Sequence, residues 1–160
     1  MASGSFGQPE FNDVGSSVNV TLCSAPQIVE ASVAYYFSKI LEMPFDKAIQ
    51  HVTDALAAKG FGVLTTIDVQ ATMKKKLNVE FRPYTILGAC NPDFAHKALQ
   101  IEDAIGTMLP CNVVVQEISK GMVEVSAVDP VASMMAVKNP KLAAIAGDVK
   151  DQLQQVVSGL

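Results

Sequence analysis

Residues 84–112, YTILGACNPDFAHKALQIEDAIGTMLPCN, decide how the rest of this chain is read. Tyr84–Cys90 is nearly apolar throughout and reads as a strand buried on both faces. Asn91 is a good N-cap and Pro92 a good first helical residue, so a helix starts there and runs to about Gln100. A second short turn, Glu102 to Met108, leads to Pro110, and a new strand begins at Cys111. The stretch therefore holds two of the three cysteines, Cys90 and Cys111, each at a strand end, and one of the two histidines, His96.

Upstream, Val33–Leu41 is aromatic and β-branched and reads as the first strand. Pro44 opens a helix whose stripe is Phe45, Ile49, Val52 and Leu56, and Gly60 closes it. Gly62–Asp68 is a second strand, and Val69–Leu77 a short helix bearing Lys74, Lys75 and Lys76. Downstream, Cys111–Ile118 and Met122–Val128 form a hairpin around the turn Ser119-Lys120-Gly121. Asp129-Pro130 starts a short helix near Met134 and Met135, adjacent thioethers that read as core filler. The pair Asn139-Pro140 starts a last helix with the stripe Leu142, Ile145, Val149, Leu153 and Val156. Only the first strand is followed by a long helix, so a regular βαβ array is excluded. The order predicts an α+β layer, one largely antiparallel sheet with helices on one side. Residues 1–30, with five serines and no basic side chain, read as an N-terminal extension, flexible or adding one strand at Val18–Leu22. Residues 31–160 read as a single α+β domain.

Composition removes several function classes. The net charge is -4, the pI is near 5.1, and Arg82 is the one arginine, so there is no nucleic-acid footprint. No run reaches the roughly 18 apolar residues of a membrane span, and the N-terminus has no secretory pattern. An odd number of cysteines argues for free thiols and a cytoplasmic setting. The apolar share of 49% and mean hydropathy of +0.28 point to a buried oligomer interface. The hairpin strand Met122–Val128, with Glu124 as its single charge, is the expected unpaired edge, unless the N-terminal arm covers it.

Chemistry, where it exists, is expected at Cys90, Cys111 and His96, with Asn91 and Asn112 shaping the site. Cys90 precedes a helix start, whose N–H groups and dipole lower a thiol pKa. His96 sits about one turn into that helix. Cys111 joins them only when the two flanking strands are antiparallel neighbours; parallel strands hold the cysteines about 20 Å apart. Assembled, the set suits a soft or borderline metal such as zinc or copper, a disulfide couple or a thiolate nucleophile. Unassembled, the cysteines are small buried hydrophobes. No C-x-x-C, H-E-x-x-H or phosphate loop selects among these uses. Glu102 and Asp103 read as solvated charges within reach of the histidine, and Cys23 as an incidental thiol.

Four segments resemble a known family: Gly60-Phe-Gly-Val-Leu-Thr-Thr-Ile-Asp68, Gly88-Ala-Cys-Asn-Pro92, Leu109-Pro-Cys-Asn-Val113 and Val128-Asp-Pro130, with Ala95-His-Lys-Ala-Leu99 between them. Together they are similar to the domain of unknown function 302 family, from about Val33 to Met135. The resemblance implies a β-α-β(4)-α arrangement like that of TATA-binding protein, a tendency to dimerise, and the antiparallel case that brings Cys90 beside Cys111. It implies no reaction. The working expectation is a binding protein with a thiol site for a soft metal or small ligand, with a thiol–disulfide protein and an inert interaction module as alternatives.

Overall fold

The computed structural model describes residues 35–160. The N-terminal extension, its Val18–Leu22 strand and Cys23 lie outside the described residues. The chain runs β1 (Tyr36–Glu42), α1 (Phe45–Ala58), β2 (Gly62–Asp68), α2 (Val69–Leu77), β3 (Tyr84–Cys90) and α3 (Pro92–Ile101). A 3-10 segment, Asp103–Met108, leads into β4 (Cys111–Ser119), β5 (Met122–Val128), α4 (Pro130–Ser133) and α5 (Lys141–Gly159). The fold is α+β, with a five-stranded, wholly antiparallel sheet in the order β1-β5-β4-β3-β2.

Local signals set most boundaries. Gly60 adopts φ +79° just past α1, a left-handed value that glycine reaches without a Cβ clash. The Asn91 side chain accepts a bond from the Asp93 N–H at 3.1 Å, capping α3 with Pro92 at its first turn. Asp129 does the same for α4, accepting from the N–H groups of Val131 and Ala132 at 2.9 and 3.3 Å. Gly121, at φ +77°, closes the β4–β5 hairpin, its N–H donating to the Glu117 carboxylate.

Alternation along the strands builds the core. Leu41, Leu87, Ala89, Val113, Val115, Val123, Val125 and Ala127 are buried on one sheet face. Against them pack Ala48, Val52 and Leu56 of α1 and Val149, Leu153, Val156 and Val157 of α5. At the far end Lys39 donates to the Ser158 and Leu160 carbonyls, fastening the C-terminus of α5 to β1. A smaller cluster of Ala98, Ile105 and Leu142 joins α3, the 3-10 segment and α5.

Two expectations need correction. The strand Met122–Val128 is not an edge: β5 lies between β1 and β4, and among the described residues the edges are β1 and β2. The Tyr36↔Val128 register makes this possible, bringing the first strand of the described chain onto the last. Nor is β3 buried on both faces, because only Thr85, Leu87, Gly88 and Ala89 are buried while Tyr84, Ile86 and Cys90 are half-exposed. The sheet face away from the core is the open side.

Candidate functional site

The antiparallel alternative holds. β3 and β4 are neighbours, with Ala89 opposite Cys111 and Gly88 opposite Asn112. Cys90 is thus diagonal to Cys111, at the point where the chain leaves the sheet for α3. Both cysteines are free and line one cavity of about 30 Å³ beneath α3 and α5. Phe61, Phe94 and Ile145 supply apolar walls, and Asn91 and Met134 also face in. A volume of that size holds a single ion or water, not an organic molecule.

The motif glycines let the chain approach closely here. A Cβ on Gly88 would lie 2.2 Å from Thr65 Oγ1 and 2.7 Å from Pro110 Cγ, so the G-A-C-N and L-P-C-N segments pack backbone to side chain. A Cβ on Gly60 would come within 3.2 Å of Asn91 Nδ2, so the end of α1 and the start of α3 approach closely.

The electrostatics run against the helix-dipole expectation. Burial pushes the Cys90 thiol up rather than down. Cys111, 8% exposed, is pushed up to about 11, by burial first and by neighbouring Cys90 second. Burial disfavours the charged sulfur. Both thiols are accordingly protonated at neutral pH, which slows nucleophilic attack and disulfide exchange.

The raised value has a measurable consequence for stability. An unfolded cysteine loses its proton near 9.0, whereas Cys111 in the folded chain holds its own to about 11. Between those values the unfolded state binds fewer protons, so stability is intact below the unfolded value and falls as pH rises. The expected slope is at most about 1.4 kcal/mol per pH unit. Urea unfolding of wild type and Cys111→Ala under reductant, from roughly pH 8 to pH 10.5, isolates it from other groups. Parallel pH profiles for the two proteins would refute it.

The structure distributes the remaining candidates. His96 is exposed on α3, away from the cavity, because Phe94, Ala95 and Ala98 form the face that turns inward. At about 100° per residue His96 lies nearly opposite them, a signal readable from the spacing. Among the described residues no group of three or more His, Cys, Asp or Glu side chains is placed to hold a metal. Asn112 is exposed on the open sheet face, one residue out of phase with buried Cys111. Glu102 accepts from Asn139 Nδ2 at 3.3 Å. Met134 is the cavity residue that the sequence reading set aside as filler.

The fold is a small α+β domain with a small apolar cavity lined in part by Cys90 and Cys111. The chain belongs to the family described as domain of unknown function DUF302, which it matches over residues 37–160. Its structure is similar to the crystal structure of an uncharacterized conserved DUF302 protein from Bacillus stearothermophilus. The TM-score is 0.72 and the identity 25%, over 78% of this chain and 97% of that one. None of the curated proteins matches this chain. No helix among the described residues is long and apolar enough to cross a membrane.

Proposed function

We propose that this protein is a metal-binding protein whose cavity holds one soft monovalent ion, copper(I), between Cys90, Cys111 and Met134. The observation that supports the reading is the donor set around one ion-sized apolar cavity: two thiols and a thioether. Soft sulfur ligands in a water-poor site select copper(I) over harder ions. Zinc fits less well, since it takes four donors and His96 stands outside. Binding displaces the thiol protons to solvent, so affinity rises with pH. As part of the same reading two copies pair through the edge strand β2, where Leu64 and Ile67 are 68% and 48% exposed.

Titration of the reduced protein with copper(I) against a chromogenic chelator tests the site. One equivalent is expected, with affinity lowered at least about 100-fold in Cys90→Ser and Cys111→Ser, and less in Met134→Leu. Absence of binding, or equal binding in both serine variants, refutes the proposal. A Cys90–Cys111 disulfide forming readily under mild oxidant, without copper binding, moves the function to thiol–disulfide exchange. Light scattering that reads a monomer removes the pairing.

A further inference from the structure

The open face of the sheet carries a second, larger concavity with a different chemistry. It crosses β1, β5, β4 and β3 and has a volume of about 360 Å³, within the range of small-molecule sites. Tyr36 and Tyr84 wall it at the two sides, and Val114, Ser126, Gln116 and Glu124 line it between them. The pairings Val114↔Ser126 and Gln116↔Glu124 place these four side chains in a compact block on one face.

A row of hydrogen bonds fixes the polarity of that block. Arg82 donates from Nε and Nη2 to Gln116 Oε1, at 2.9 and 2.6 Å. The guanidinium lies over the rings of Phe81 and Tyr84, at 4.9 and 5.5 Å from their centroids. With its carbonyl committed to Arg82, the Gln116 amide turns its Nε2 to Glu124 Oε2, at 2.7 Å. The guanidinium itself does not line the concavity, although the Gln116 carbonyl and the Tyr84 ring that hold it do, while the half-buried carboxylate lies within it. The ion pairs of the described residues are Lys74–Glu80 and Lys150–Asp129, and neither involves Glu124. Residues 1–34 contain no lysine, arginine or histidine, so they bring no basic side chain to it.

We infer that this groove binds a small organic ammonium ion. Glu124 Oε1, without a hydrogen-bond partner among the described residues, takes the charge, and Tyr36 offers a ring to the alkyl ammonium. Tyr35, edge-to-face on Tyr36 with centroids 4.9 Å apart, steadies that wall. One carboxylate is too few oxygens for calcium or magnesium. An anion meets the wrong charge, since Arg82 does not line the groove. The inference is independent of the thiol cavity, which lies on the other side of the sheet.

The test uses the full chain and choline as probe, followed by amide chemical shifts. A saturable shift confined to β1, β3, β4 and β5 around the groove is expected at millimolar choline. In Glu124→Gln, which preserves the bond from Gln116, affinity should fall about tenfold or more, and in Tyr36→Leu by several-fold. The uncharged isostere 3,3-dimethylbutanol should bind at least tenfold more weakly than choline. Linear shifts without saturation, equal binding of the isostere, or unchanged affinity in a folded Glu124→Gln protein would overturn the inference.

Discussion

Replacing Phe61 by alanine is expected to cost about 3–5 kcal/mol of stability, a large share of what a domain of this size has. Phe61 is 1% exposed and heads the fully buried side chains in volume. It stands between Gly60 and β2 with its N–H bonded to the Leu56 carbonyl at 3.0 Å, which ties its backbone to the end of α1. The ring belongs to the main core and also walls the thiol cavity. Truncation therefore removes apolar contact and enlarges a space already lined by Cys90 and Cys111. Denaturant unfolding should show a lower midpoint at unchanged slope, and Phe61→Leu a loss of about 1 kcal/mol. Both cysteines should also alkylate faster in the alanine variant, under conditions where it stays folded. A loss below about 1 kcal/mol for Phe61→Ala would mean that the site collapses around the gap.

Asp129→Ala is expected to cost about 2–3 kcal/mol, from a helix cap and an ion pair lost together. The carboxylate is 6% exposed, caps α4 through Val131 and Ala132, and accepts from Lys150 Nζ of α5 at 2.6 Å. Burial alone would raise its pKa. The Lys150 bond and the two backbone N–H groups outweigh burial and hold it below the ordinary 3.8. Because the folded value is depressed, this stability is present above the unfolded value and is lost as pH falls through the folded one. Asp129→Asn keeps the cap and loses the charge, so it should cost about half as much and flatten the acid limb of the stability curve. An unaltered acid limb in Asp129→Asn would show that the ion pair contributes nothing. Fluorescence- or dichroism-monitored urea melts from about pH 3 to pH 7 distinguish these outcomes.

The candidate site was legible in part. The positions of Cys90 and Cys111 at strand ends, the helix start at Asn91-Pro92 and the enclosure by apolar segments could all be read from neighbouring residues. Cys90 is the less raised of the two thiols, but its shift runs upward rather than downward, because a helix start is visible in sequence whereas the depth of burial is not. His96 was misplaced because the docked face of α3 depends on α5, although the Phe94–Ala98 stripe pointed the right way. Met134 follows α4 and reaches the cavity only because α4 folds back towards α5.

The sequence by itself determined the elements. Gly60, Asn91-Pro92, Asp129-Pro130 and Gly121 act within one turn of the backbone, and the stripes of α1 and α5 follow from the helical period alone. These are local effects, and β2, α2, β3 and β5 begin and end where they indicated. The order of strands was decided only in the tertiary structure. Alternation tells which side of a strand is apolar but not which strand lies beside it, and β1 reaches β5 from the far end of the described chain. The open-face groove has the same origin, since Arg82, Gln116 and Glu124 come from three separate segments. Each is an ordinary surface residue in sequence, and only the antiparallel register sets the Glu124 carboxylate in one groove with Tyr36 and Tyr84 and, among the described residues, without an ion-pair partner.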